Sequence, residues 1–234
     1  MQKDRCQGVF TIPRFEQIPY LIHGFGSREW TENEFRMRPE WKGFQLLYLD
    51  QIHSNLIHFI DKPIQEKLKG DAIVTNLPLL LIIIKTADCL PVLIVDEKRQ
   101  VIAAVHCGWR GTSKGVIRKV IQGMRERYGC LTSSLLVAMG PCIKRECYEV
   151  GDEVVRSFEK QGLSTKFYSR HPHNPDKFLF DLREANLAQM EELGVERGNI
   201  FMIDVCTHCC SDLDSYRRDK DKAGRLLSFV GMCI

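Results

Sequence analysis

No stretch of these 234 residues is long and apolar enough to span a bilayer, the longest apolar run, Leu77 to Ile84, stopping at Lys85. The opening MQKDRCQGVFTIPRF has no continuous apolar run, so no secretory signal is expected. A net charge of only +3 gives no reason to expect nucleic acid or an anionic membrane as partner. The seven histidines are spread along the chain, whereas multicopper oxidation needs them clustered. Gly24 and Gly26 begin a GxGxxG pattern that Glu29 breaks at its third glycine, which argues against a dinucleotide loop. The H-x-E and P-C-x-x-C pairs of the usual nucleobase deaminases are both missing. Repeats, low-complexity tracts and obvious linkers are missing too.

What is present is a globular composition, 44% hydrophobic and 27% charged, at a length that one large domain accommodates. A single domain over 1–234 is expected. Ten cysteines suggest a disulfide scaffold only in far shorter chains, so free thiols and a cytoplasmic, reducing compartment are expected. Alternating strand-like and helix-like segments indicate an α/β (α+β) fold, with mixed β-sheets sandwiched with helices.

The chain is organised around Thr86 to Thr112, TADCLPVLIVDEKRQVIAAVHCGWRGT, two apolar runs about a charged turn, hence a β-hairpin. With the turn centred between Glu97 and Lys98, Leu93 faces Ile102, Pro91 faces Ala104 and Cys89 faces His106. Directly opposed Cβ atoms lie about 4.5–5.5 Å apart, close enough for thiolate and imidazole to share a metal or a proton.

Elsewhere, Phe44 to Ile60 reads as one or two strands. On one regular strand His53 and His58 would point to opposite faces and not serve one site. Asp71–Thr75 reads as a strand, and Leu79–Ile84, apolar throughout, as a central strand buried on both faces. Cys107 to Thr112 reads as a tight turn leading through Ser113 into a helix on Val116, Ile117, Val120, Ile121 and Met124. Further elements are a strand over 135–139, a helix over 148–160 and a long loop over 161–178. Asp181 caps a third helix that Gly194 stops, followed by a strand over 200–205, a basic loop and a final strand.

The chemistry concentrates on His53, Cys89 and His106. Two imidazoles and a thiolate, with a fourth position open to water, make a catalytic zinc shell. Core histidines with a buried cysteine are the plain alternative, and Cys89 as nucleophile with His106 as its base is a third reading. Cys206-Thr-His208-Cys209-Cys210 contains a C-x-x-C, but a zinc site there would need a second pair, and only the loosely spaced Cys142 and Cys147 are on offer. Ordinary thiols are the favoured reading. His171-Pro-His173 has the form of a copper H-x-H and is read as loop histidines. Arg28, Arg110 and the run Ser215-Tyr216-Arg217-Arg218-Asp219, with Arg225, offer guanidinium forks for phosphate. Tyr216, Arg217 and Arg225 are expected in a loop rather than on a helix. Asp88, the carboxylate next to Cys89, is expected to point away from the site.

The segments QIHS, GDAIVT, TADCLPVLIVD, AAVHCGWRGT, GPCIKRECYEVGDEV, FDL and CTHCCSDLDSYRRDKDKAGR occur in an order that resembles the YfiH/laccase-domain family. Once called multicopper polyphenol oxidoreductases, its members are now regarded as purine nucleoside phosphorylases. The resemblance covers residues 20–233. It implies zinc rather than copper on His53, Cys89 and His106, and a fold related to the catalytic domain of cytotoxic necrotizing factor. It further implies phosphorolysis of adenosine, inosine, guanosine and methylthioadenosine, adenosine deamination beside it, and Arg28 near the site. Tyr216, Arg217 and Arg110 would bind substrate. The chain departs from the family with REWTENEF in place of a glycine-glycine-valine-serine loop, and with LDSYRRD where a phenylalanine pair usually precedes the serine. Two other functions remain to be weighed: a cysteine hydrolase or deamidase acting through Cys89 and His106, and a non-catalytic interaction protein stabilised by its metal.

Overall fold

Continuous apolar sequence places Leu80–Thr86 at the centre of a sheet, as expected, between Leu226–Met232 and Gln45–Asp50. In this computed structural model, which describes residues 8–163 and 165–233, six strands form that first sheet. Leu226–Met232 runs antiparallel and Gln45–Asp50 parallel to the central strand, so the sheet is mixed. A second six-stranded sheet holds the hairpin Leu90–Asp96 and Val101–Cys107, flanked by Ala72–Thr75 and Leu136–Met139. A third sheet has three short strands.

Side-chain alternation explains the layering. Leu93, Val95, Ile102 and Ala104 of the hairpin face Ile82, Ile84 and Val230 of the first sheet in one apolar cluster. Their neighbours Val92, Ile94, Ala103 and Val105 face the opposite way, onto the helices. Val116–Tyr128 supplies Val116, Ile117, Val120, Ile121 and Met124 to that face, each burial contributing about 1.5–3 kcal/mol. Gly129, at φ +66°, closes this helix by donating its N–H to the Arg125 carbonyl. Asp181 caps Leu182–Glu192 by accepting from the amides of Arg183 and Glu184.

The hairpin register differs from the expectation by two residues. Leu93 faces Ala104 and Pro91 faces His106. Asp96 accepts the amides of Lys98 and Arg99, which starts the turn later and centres it between Lys98 and Arg99. Because the slip is even, every side chain keeps its face.

Three other expectations change. The stretch 161–178 is largely a hairpin, Tyr168–His171 with Asn174–Phe180, whose polar edge and Pro175 hide its strand character in the sequence. The helix expected over 148–160 is Asp152–Glu159, preceded by a helical turn and the two-residue strand Glu149–Val150. Residues Trp109–Ser113 form a short helix of their own rather than a turn. The unusual segment REWTENEF leads into the helix Glu32–Arg36, opened by a capping box between Thr31 and Glu34. Its Phe35 is buried, and Trp30 before it stacks on Phe229 of the outer face of the first sheet.

His23, buried on Leu21–Gly26, accepts the Ile12 amide at its Nε2, 2.8 Å away. Burial pushes its pKa down to about 4. The unfolded chain, with an ordinary histidine near 6.5, binds the proton first. Stability is therefore complete above about pH 6.5 and falls as the pH drops toward 4, by about 3 kcal/mol from this group. Melting temperatures measured from pH 7 to 4 will show this decline, and His23→Gln, which keeps an acceptor, will flatten it. An equal slope in the variant would refute the assignment.

Candidate metal centre

The stretch 51–56 leaves the first sheet at Asp50 and joins the second at Ile57, so it is a crossover and strand alternation does not govern His53. His53 sits at φ +55°, a strained value for a non-glycine residue. Asp71, fully buried ahead of Ala72–Thr75, holds this turn. One of its carboxylate oxygens accepts the His53 amide at 3.0 Å and the other accepts the amide and hydroxyl of Ser54. The first oxygen also lies 2.8 Å from Nδ1 of His106, leaving Nε2 of that ring to face the site. His58 is elsewhere, its ring bonded to the Lys69 carbonyl.

Cys89 lies one residue before Leu90–Asp96, and continuing the register sets it beside Gly108, diagonal to His106 on the same face. The donor atoms of His53, Cys89 and His106 all lie within 4.8 Å of one another, and the two imidazoles are edge-to-face at 4.8 Å. Burial grades across the trio: His106 is buried, Cys89 half-buried and His53 exposed, so the site opens to solvent on the His53 side. Gly108 makes the room. A Cβ there would sit 3.1 Å from the Cys89 sulfur and 3.2 Å from His53. Gly111 lets the short helix lie against the crossover, since its Cβ would meet the Ser54 carbonyl at 2.7 Å. Thr112 bonds to Asn186 and Gln189 of Leu182–Glu192, which fixes that short helix from behind.

Burial alone would raise the Cys89 thiol, but the imidazoles of His106 and His53 outweigh it and bring it down to about 6. Burial likewise disfavours charge on His106, yet Cys89 and Asp71 together push it up to about 9. A soft thiolate and two imidazoles, one locked by a carboxylate behind it, with an open side and a glycine-made hollow, fit a zinc ion.

Asp88 does point away, for a reason other than strand alternation. At φ +84° it leaves the strand and accepts the Thr207 hydroxyl at 2.7 Å and the Arg217 amide at 2.6 Å. This ties the C-terminal segment to the residue before Cys89. Sequence reasoning missed Tyr148, a half-buried phenol under the electrostatic influence of Cys89, Arg217, Asp88 and Arg110. Burial, first, and the nearby anions drive its hydroxyl far above the usual range, so it stays protonated. The Arg217 guanidinium lies 5.5 Å from its ring centre. Arg110 is exposed and stacks on Trp109.

The other expected arginines are placed differently. Arg28 is committed to carboxylates, Asp214 at 3.1 Å and Asp219 at 2.7 Å, on the wall of a cleft of about 860 Å³. Lys220 and Lys222 share that cleft, and none of its lining residues belongs to the donor trio. Arg218 is bonded to the carbonyls of Thr207, His208, Cys210 and Leu213. Arg225 bonds to the carbonyls of Ala223 and Gly224. Tyr216 and Arg217 begin the helical turn Tyr216–Asp219, not a loop, with Tyr216 exposed. His171 and His173 form only a pair at the tip of the third sheet, outside the clusters of three or more donors found among the described residues. Cys147, expected to be too loosely spaced, meets Cys209 with 3.3 Å between sulfurs. No helix among the described residues is long and apolar enough to cross a membrane.

Residues 27–233 match the family model described as multi-copper polyphenol oxidoreductase laccase. A purine nucleoside phosphorylase of Clostridium acetobutylicum is 38% identical over 185 residues, 78% of this chain and 75% of that protein. An adenosine deaminase, RL5, from an unknown prokaryotic organism is 39% identical over 68% of this chain and 64% of its own length. The crystal structure of YlmD from Geobacillus stearothermophilus superposes with a TM-score of 0.85 at 23% identity, covering 99% of this chain and 98% of YlmD. With the family model spanning nearly the whole chain and relatives well above 30% identity, the chain belongs to the YfiH/YlmD laccase-domain family.

Proposed function

We propose that this chain, acting as one domain, is a zinc-dependent purine nucleoside phosphorylase. Its substrates are adenosine, inosine, guanosine and methylthioadenosine with inorganic phosphate, and adenosine deamination accompanies the main reaction. The observation that carries the reading is the trio His53, Cys89 and His106 around the hollow at Gly108, flanked by Tyr148 with Arg110 and Arg217. The names of the curated relatives, phosphorylase and deaminase, support it.

His53, Cys89 and His106 would hold the zinc, which when bound supplies Lewis acidity at its open position. Asp71, 2.8 Å from Nδ1 of His106, would orient that ring so that Nε2 is left to hold the ion. Arg110 and Arg217 are the cations best placed to hold phosphate near the ribose, turning a bimolecular encounter into a positioned one. Arg28 is a weaker candidate, since phosphate there competes with Asp214 and Asp219. The exposed ring of Tyr216 offers a face on which a purine can stack. In phosphorolysis a phosphate oxygen bonds to the anomeric carbon as the glycosidic C–N bond breaks, its electron pair leaving with the purine. The test is purified, zinc-loaded protein with inosine and phosphate. Hypoxanthine and ribose 1-phosphate are expected, and adenosine should also yield inosine. Zinc-bound protein that forms none of these sinks the proposal.

One observation favours a second reading. A Cys89 thiol lowered to about 6 beside His106 is the pair a cysteine hydrolase or deamidase needs, and kinship with the cytotoxic necrotizing factor domain would belong with it. Iodoacetamide separates the two. The zinc reading expects Cys89 to be protected in the metal-loaded protein and alkylated quickly once the metal is stripped. Rapid alkylation with zinc still bound would favour the hydrolase.

A further inference from the structure

Cysteines near the C-terminus gather into a second donor cluster, separate from His53, Cys89 and His106. The donor atoms of Cys147, His208 and Cys209 all lie within 4.8 Å of one another, although Cys147 is 62 residues from Cys209. Cys206 opens the same turn, three residues before Cys209. We infer that Cys147, Cys206, Cys209 and His208 form a second, structural metal site of Cys₃His composition that takes zinc.

The backbone is arranged for thiolates at this place. The Cys206 sulfur accepts the N–H of Lys144, 3.4 Å away, from the segment that leads to Cys147. A C-x-x-C turn aims its second cysteine at the same point as its first. The carbonyls of the same turn face the opposite way, onto the Arg218 guanidinium, which bonds those of Thr207, His208 and Cys210. Three carbonyls held on one guanidinium keep the turn in place. The opposing segment is held just as firmly: Ile143 donates to the Asp88 carbonyl, and Thr207 donates to that of Cys142.

A cluster of inert buried thiols does not account for this. Cys206 is buried, but Cys147 and His208 are half-buried and Cys209 is exposed, which gives an ion a path from solvent. The 3.3 Å between the Cys147 and Cys209 sulfurs is far beyond a disulfide bond of about 2.05 Å. It is a few tenths of an ångström short of the roughly 3.8 Å edge of a tetrahedron with zinc–sulfur bonds of about 2.3 Å. Four protein donors close the shell, so the site would be structural rather than catalytic. It would fasten the turn before Tyr148 to the turn carrying Thr207, hence to Asp88 and the residue beside it, Cys89.

The test is metal stoichiometry in a chain whose first site has been removed. His53→Ala with Cys89→Ala leaves only the Cys147 cluster, and that protein should purify with about one zinc per chain. Adding Cys209→Ser, at an exposed position, should bring it to none. His208→Ala should weaken zinc by more than the roughly 10–100-fold that an outer-shell change costs. Cobalt in place of zinc should give tetrahedral ligand-field bands with strong sulfur-to-metal charge transfer, reduced in Cys147→Ser. A first-site-deleted protein that is folded by circular dichroism and metal-free overturns the inference, as does a Cys147–Cys209 disulfide found by intact mass. Cys209→Ser in the otherwise natural chain should keep its first zinc, so failure here leaves the proposed activity separately testable.

Discussion

Asp71→Ala is expected to cost about 3–5 kcal/mol of stability and about 100-fold in zinc affinity, with turnover falling alongside. The fully buried carboxylate accepts from the His53 amide, from the amide and hydroxyl of Ser54, and meets Nδ1 of His106. Burial opposes its charge, but the hydrogen bonds from His106 and Ser54 prevail and hold its carboxyl below the usual range. Removing it leaves a strained crossover without its anchor and His106 without the group that orients it. Asp71→Asn divides these two jobs. If its oxygen stays toward His53 and His106, its NH₂ faces the Ser54 N–H, two donors in opposition. That variant should lose about 1–3 kcal/mol and about tenfold in affinity. Denaturant titration and competition with a chromophoric chelator measure both quantities. Natural zinc affinity in Asp71→Ala would show that the carboxylate supports the fold and not the donors.

That residue also marks the limit of what the sequence discloses. GDAIVT is legible as a strand, and periodicity places Asp71 at its start, yet nothing local says that its carboxylate reaches two segments 18 and 35 residues away. That Cys89 and His106 share a face was readable because a hairpin relates near neighbours and an even register error preserves the face, although the direct pairing expected of them is a diagonal one. His53 was readable only as a ligand type, since a crossover between sheets obeys no period. Arg218 looked like a phosphate cation because charge is visible in a sequence, whereas the carbonyls it binds are not. The same applies to Cys147 and Cys209, whose approach depends on the tertiary fold and on no spacing motif.

Gly108→Val is expected to abolish zinc binding at the first site, and turnover with it, while leaving the fold intact. The backbone at Gly108 is extended, with φ −79° and ψ 165°, so a side chain there meets no conformational penalty. The obstacle is space. A single Cβ would press on the Cys89 sulfur at 3.1 Å, on His53 at 3.2 Å and approach His106 at 3.8 Å, the three residues of the trio together. Gly108→Ala asks those side chains to yield by a few tenths of an ångström, which the exposed His53 can do most readily. About a tenfold loss of affinity is expected there. Valine adds two methyl groups in the hollow itself, and a displacement near 1 Å corresponds to a loss of about 100-fold or more in rate. Because the clash falls on side chains at an open site, melting temperature should change little in the metal-free protein, unlike that of Asp71→Ala. Zinc content, turnover and metal-free melting temperature, measured across alanine and valine, separate the two effects. Undiminished zinc in Gly108→Val would mean that the ion does not lie between these three side chains.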